Sequence, residues 1–376
     1  MLETFRLAKF RFTICAKEHI RFPTYKGSAF RGGFGYAFKR VVCVTKNREC
    51  DDCLLKQKCI YSYIFETPPP QDTEMLRLYP KVPHPFVIEP PITEKQTFEP
   101  GEEFSFHLIL IGQAIDYLPY FIYTFTELGK QGIGQGRGKY DLLHVEGMDL
   151  GNEAIQIYDH KTQTLTSHYP IIHAHQLNSH STVPVSSPCE REDFVVMVRQ
   201  AHHARRYTLS LSKGQPNDEG GVKNSATMSS CKWEKETLKA NNHTNHLTIS
   251  LVTPLRLRFD GHITDKIEFH VLIRNLLRRI SSLSYFHCGE KFQVDFKGLI
   301  EKARTVNQIA SDIHWYDWKR YSTRQEEWMS LGGVTGTVLY EGDISDFMLL
   351  LRLGEYAHVG KGTSFGLGKY EILKGM

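Results

Sequence analysis

A nine-residue motif occurs twice in this 376-residue chain, and an internal repeat decides architecture before any local pattern does. GIGQGRGKY at 132–140 and GTSFGLGKY at 362–370 align at an offset of 230, with Gly132/Gly362, Gly136/Gly366, Gly138/Gly368, Lys139/Lys369 and Tyr140/Tyr370 identical. The flanks repeat as well. Before the first copy, EEFSFHLILIG alternates apolar residues as a strand does, and AIDYLPYFIYTFTELG carries an apolar helical face. Before the second, GVTGTVLYEG reads as a strand and DISDFMLLLRLGE as a helix entered through an Asp cap.

The two halves also open alike. LETFRLAKFRFTIC is an alternating strand, and GSAFRGGFGYAFKRVV after Pro23 can form a helix despite its glycines; NHLTISLVTPLRLRF and DKIEFHVLIRNLLRRISSLSYF repeat that order. Each half then reads β-α-β-β-α-β, an antiparallel sheet backed by two helices. The expected fold is α+β, two tandem ferredoxin-like (RRM-like) domains. One spans 1–150 with a Cys-rich insertion at 43–59, the other spans 246–376, and 151–245 connects them. Within the connection, His160, His168, His173, His175 and His180 lie among Ser, Thr and Pro without a compact ligand spacing, so they read as surface histidines. One ordered piece, REDFVVMVRQAHHARRYTLSLS, is expected there.

With 41% hydrophobic residues the chain is too apolar to stay disordered, and no run approaches the roughly 18 apolar residues that cross a bilayer. Arg6, Lys9 and Arg11 interrupt the apolar start, so a secretory signal is not expected and the cytoplasm is. The net charge of +4 conceals an asymmetry. Residues 1–50 hold eleven Lys/Arg against three Asp/Glu, whereas 51–130 hold six against twelve. Such a basic N-terminal segment could serve as a polyanion footprint.

Four cysteines, Cys43, Cys50, Cys53 and Cys59, follow the pattern Cys-x6-Cys-x2-Cys-x5-Cys. The Cys-x2-Cys knuckle lets two thiolates reach one tetrahedral ion, and the outer pair could close a four-sulfur structural zinc site. Such a site holds a loop and leaves no position for substrate.

A Gly-rich loop presents backbone N–H groups without Cβ obstruction, and neighbouring cations supply the counter-charge for phosphate. Here these are Lys130, Arg137 and Lys139 in the first copy, and Lys361 and Lys369 in the second, with Gly360, Gly362, Gly366 and Gly368. Neither copy is a mononucleotide P-loop, since Gly-Lys is followed by Tyr, and neither opens a helix as a dinucleotide fingerprint does. Further cations suited to a nucleic-acid backbone lie on the long helix (Arg274, Arg278 and Arg279). Others lie in HWYDWKRYSTRQ, where Lys319, Arg320 and Arg324 interleave with Trp315, Tyr316, Trp318 and Tyr321. That segment also suits an amphipathic helix burying Trp315 and Trp318.

Taken together, FRGGFGYAF at 30–38, the four-cysteine segment running into CIYSYIFE at 59–66, TPLRLRFDG at 253–261, RISSLSYFHCG at 279–289 and HVGKGTSFGLGKY at 358–370 resemble the CRISPR repeat-processing endoribonucleases of the RAMP superfamily. The resemblance covers most of the chain outside 159–245. It implies tandem ferredoxin-like domains, CRISPR repeat RNA within a precursor transcript as partner, and cleavage without a catalytic metal. In that reaction the ribose 2′-OH attacks the adjacent phosphate, expels the 5′-oxygen of the next nucleotide and leaves a 2′,3′-cyclic phosphate. It needs a base, an acid and cations or amides on the phosphorane. Family members often carry the catalytic His on or just after the first helix, and here that helix has none. The nearby candidates are His19, Tyr25, Lys26, Arg31 and Lys39. In the second half they are His287 and His358, the latter tethered to the loop expected to hold phosphate. The alternative is a non-catalytic RAMP protein that binds guide RNA beside other effector subunits, for which a missing helix histidine is no anomaly.

Overall fold

The computed structural model describes residues 2–46, 50–69, 73, 82–179, 246–322 and 327–373. The expected ordered piece at 191–212, His180 and Arg324 lie outside the described residues.

In the N-terminal half the order is β1 (Arg6–Ala16), α1 (Gly27–Val42), β2 (Phe86–Glu89), β3 (Glu103–Ile111), α2 (Leu118–Gln131) and β4 (Tyr140–Met148). These strands pair antiparallel in the sheet order β2-β3-β1-β4, and β5 (Ala154–Asp159) adds beside β4. The C-terminal half repeats the order with β6 (His246–Leu255), α3 (Phe269–Leu283), β7 (Asn307–Tyr316), β8 (Gly333–Glu341), α4 (Met348–Ala357) and β9 (Tyr370–Leu373). Its sheet runs β7-β8-β6-β9, the same arrangement position for position.

Local sequence explains most boundaries. Phe30, Phe34 and Phe38 recur every four residues and make the buried face of α1, while Lys39 and Arg40 end it beside the negative end of its dipole. Pro119 stands in the first turn of α2, where a missing N–H costs nothing. The entry to α4 differs from the expected Asp cap. A short 3-10 turn, Ser345–Phe347, precedes it, and Asp343 Oδ1 accepts from the backbone N–H of Ser345 at 3.1 Å at that turn rather than at the helix.

Residues 314–322, the described part of HWYDWKRYSTRQ, are not a helix. Their first members end β7, where Trp315 pairs with Val334, and Lys319–Ser322 forms a hairpin strand against Glu327–Ser330. Trp318, between the two strands, is buried, while Trp315 on the ladder stays 46% exposed.

Strand parity sets the relation between the halves. On β1 the even residues Ala8, Phe10, Phe12 and Ile14 join the core beneath α1 and α2, together with Phe106, Leu108 and Leu110 of β3. The odd residues face the other way, and Leu7, Val87, Ile109 and Ile111 belong to the core built by the C-terminal half. Both faces of the first sheet are therefore closed at this end, as in a layered domain rather than an open RRM-like surface.

Candidate functional site

The C-terminal Gly-rich segment leaves α4 at His358 and enters β9 at Tyr370. Residues 253–256 grip it. Gly368 N–H donates to Pro254 O (3.1 Å), Lys361 N–H to Arg256 O (3.0 Å), Thr253 Oγ1 to Gly366 O (2.8 Å) and Lys369 N–H to Thr253 Oγ1 (2.9 Å). The start of α1 meets its outer turn. Tyr25 donates its hydroxyl to Phe365 O at 2.9 Å, and a Cβ on Gly27 would stand 2.1 Å from that same oxygen. Gly366 and Gly368 are buried, with φ of +82° and +72°, and serve close backbone approach, whereas Lys361 is exposed and Gly360 and Gly362 are half-buried.

Beneath this loop lies one carboxylate. On β2, Glu89 follows Val87 on the face turned to the C-terminal half, and its side chain is 3% exposed. His358 Nε2 donates to Glu89 Oε1 at 2.9 Å, and Lys369 Nζ reaches the same oxygen at 3.2 Å. Lys9 of β1 and His107 of β3 stand 3.8 and 3.7 Å from Oε2. Burial alone would raise the Glu89 carboxyl, but the His358 hydrogen bond and the ammonium groups of Lys9 and Lys369 outweigh it and hold the group well below the usual carboxylate range. His107 is pushed down to about 4, first by burial and then by Lys9, so its imidazole is neutral at neutral pH. From Glu89 outward, exposure rises through Lys369 (15%) and Lys9 (20%) to His107 (32%). Two ammonium groups against one carboxylate leave a surplus positive charge on the accessible side, which suits an anion.

Sequence reasoning passed over Glu89, Lys9 and His107. The signal was present in the alternation, since an acid at the end of FVIE and a histidine inside EFSFHLILI occupy strand positions facing the second sheet surface.

Most of the expected proton-transfer residues face inward. His358 is fully buried, with both ring nitrogens engaged, Nε2 by Glu89 and Nδ1 by Leu367 O at 3.1 Å, and burial lowers its pKa against the pull of Glu89. His287 is 1% exposed between Tyr63 Oη (3.1 Å) and Pro83 O (2.8 Å), and burial pushes it down to about 4. Tyr25 spends its hydroxyl on Phe365 O, and burial raises it well above the ordinary phenol range. Lys26 is 1% exposed, donates to Thr93 O at 2.6 Å and is lowered by burial. His358, His287 and Lys26 hold the fold together and offer a substrate no open face, whereas Tyr25 is half-buried with its hydroxyl engaged. His19 is exposed, 3.5 Å from Glu99, and its carbonyl lies against Gly138 of the first Gly-rich loop.

The cations divide similarly. Arg31 stacks between the rings of Phe65 (4.8 Å) and Phe365 (5.0 Å), and Lys39 lies over Tyr61. Arg137 and Lys139 are exposed on the first loop, where Lys139 pairs with Glu18 at 3.1 Å. Arg278 is exposed on α3, Arg274 lies over Phe259 at 5.5 Å, and Lys319 and Arg320 sit on the hairpin strand.

Cys43, Cys50, Cys53 and Cys59 are in no disulfide, are half-buried and line one small cavity. Among the described residues, however, no three His, Cys, Asp or Glu side chains are gathered as metal ligands. The residues as placed do not fit the expected zinc site. Cys43 caps the end of α1 with its thiol on Thr45, Cys59 begins the next helical turn, and Lys56, which also lines the cavity, gives its ammonium group to Asp51 Oδ1 at 3.1 Å. Nor is any described helix long and apolar enough to cross a membrane.

Residues 5–170 match a family model described as the AF_1859 N-terminal domain. An uncharacterized protein of Archaeoglobus fulgidus is 28% identical over 140 residues, covering 37% of this chain and 45% of that protein. Among solved structures, a partial Cas6-RT-Cas1–Cas2 complex superposes with a TM-score of 0.51 at 10% identity, covering 99% of this chain and 46% of that one. The fuller Cas6-RT-Cas1–Cas2 complex gives the same score and identity, over 29% of its chain. The chain thus spans less than half the length of these relatives, and at such identity the structural likeness speaks to fold alone. Residues 249–370, which contain the C-terminal Gly-rich loop and the Thr253–Arg256 segment that grips it, match the family model of the CRISPR-associated endoribonuclease Cas6.

Proposed function

We propose that this protein is a metal-independent endoribonuclease that binds CRISPR repeat RNA and cuts the precursor transcript by 2′-OH attack, giving 2′,3′-cyclic phosphate and 5′-OH ends. The observation that carries the reading is the C-terminal Gly-rich loop, inside the segment that matches the Cas6 model, with a surplus of cations at its accessible edge. The scaffold is read as two tandem ferredoxin-like domains, 1–150 and 246–376, joined by 151–245; the identical strand order of the two sheets supports it. RNA backbone runs past Lys361, Lys369 and Lys9, with Arg137, Lys139, Arg278 and the hairpin cations as further contacts. Proton transfer falls to His19, the one of the three proposed histidines with an open face. It takes the 2′-OH proton as the 2′-oxygen bonds to phosphorus, and the departing 5′-oxygen leaves with a proton from a second group or water.

A second reading, a guide-binding subunit that does not cut, is favoured by the burial of His358 and His287. One experiment separates the two. The purified protein is incubated in excess EDTA with its own organism's repeat RNA, beside the same RNA carrying a 2′-deoxy substitution at the cut. Cleavage at one bond, abolished by the 2′-deoxy, is expected; salt-sensitive binding without a cut would move the assignment to the second reading.

A further inference from the structure

The buried carboxylate under the loop belongs to the other half of the chain, and it holds both ends of the loop at once. His358 and Lys369 bracket residues 359–368, and both reach the same atom, Glu89 Oε1. His358 also occupies a backbone conformation (φ 57°, ψ 170°) that is essentially glycine's alone. Such a conformation is costly and persists only where the surroundings over-determine it. Here complete burial, Leu367 O on Nδ1 and Glu89 on Nε2 do so. At the far end, the same carboxylate draws Lys369 Nζ inward, so the ammonium stands beside Lys9 at the loop's accessible edge.

We propose that Glu89 is the positioning residue of the C-terminal Gly-rich loop: clamping His358 and Lys369 from the other half, it fixes the loop and aims Lys369 at an RNA phosphate. The inference rests on reading that loop as the RNA-binding edge. It assigns Glu89 no contact with RNA, only control over a group that makes one.

The test compares wild type, Glu89→Gln, Lys369→Met and the double variant, in EDTA, for single-turnover cleavage of repeat RNA and for the slope of log affinity against log salt. Glu89→Gln is expected to slow cleavage about 100-fold, the loss that follows displacement of a reacting assembly by an ångström. It should also flatten the salt slope by about 0.7, one phosphate contact on a single strand. Lys369→Met should flatten it equally, and the double variant should be no flatter than either, because both changes remove one contact. A merely structural carboxylate would lower stability without moving the slope. Wild type that neither binds nor cuts would overturn the functional reading itself. Active wild type with an unchanged slope in Glu89→Gln, or with slope losses that add in the double variant, would overturn the clamp. Should Glu89→Gln fail to melt cooperatively, Lys369→Met decides alone, and an unchanged slope there overturns the proposal.

Discussion

The two Gly-rich loops share five of nine residues and stand at equivalent places in the two halves, and both are held by backbone hydrogen bonds, yet the second is also tied to a buried charge. The first is fastened by backbone hydrogen bonds to 17–21, with Lys17 N–H on Lys139 O (2.9 Å) and Gln135 N–H on Arg21 O (2.8 Å). Its ion pair of Lys139 with Glu18 is about half exposed on each side, where water and salt leave little net attraction. In the second, the equivalent lysine reaches a carboxylate that water does not touch. Similar motifs therefore differ in what they can lose: the first keeps its shape without its charges, whereas the second also depends on a buried charge contributed from outside its own half.

Glycine substitutions should separate backbone need from space. Gly368→Ala puts a Cβ 1.9 Å from the Val359 carbonyl oxygen at φ +72°, and is expected to cost about 4 kcal/mol and to abolish cleavage. Gly136→Ala in the first loop meets nothing within 4 Å at φ +81°, so only the left-handed backbone is strained, at about 1–2 kcal/mol. Urea unfolding of the two variants measures the contrast, and equal losses would erase it.

Acid should loosen the junction on which the second loop depends. His287 is buried neutral with its pKa depressed from 6.5 to about 4, so its contribution is full above about pH 6.5 and is lost as pH falls toward 4. The loss reaches about 3 kcal/mol at 1.4 kcal/mol per pH unit. Glu89, depressed in turn below the usual carboxylate range, withdraws its share only below about pH 4.5. Melting temperature followed from pH 7 to 4 is expected to fall, and less so in His287→Asn.

The smallest effect belongs to the exposed pair. Glu18→Gln should leave the melting temperature unchanged, whereas Glu89→Gln should cost about 3 kcal/mol, the result of stranding buried cations. A similar drop in both would mean that the two loops are held alike.

Which of these differences the sequence carries depends on range. Strand alternation and helical faces made β1, α1, β3 and β8 legible nearly to the residue, and the repeated motif located both loops. His358 was rightly tied to the Gly-rich loop, but its burial follows from Glu89, which lies 269 residues away and announces nothing locally. The Trp315–Trp318 segment went astray for a related reason: its pairing with β8 outweighs the helical spacing of its aromatics. For the cysteines, spacing brings the four thiols to one cavity, but among the described residues they are not gathered as ligands.

The shared core bears on how this chain is made. Leu7, Val87, Ile109 and Ile111 are all translated well before residue 246, where the half that covers them begins. At roughly 5–20 residues per second, well over a hundred further residues keep the nascent N-terminal half waiting on the order of ten seconds with an apolar face uncovered. Through that interval the chain is stickiest, and its yield on expression should respond to chaperone supply and translation speed more than its finished stability would suggest.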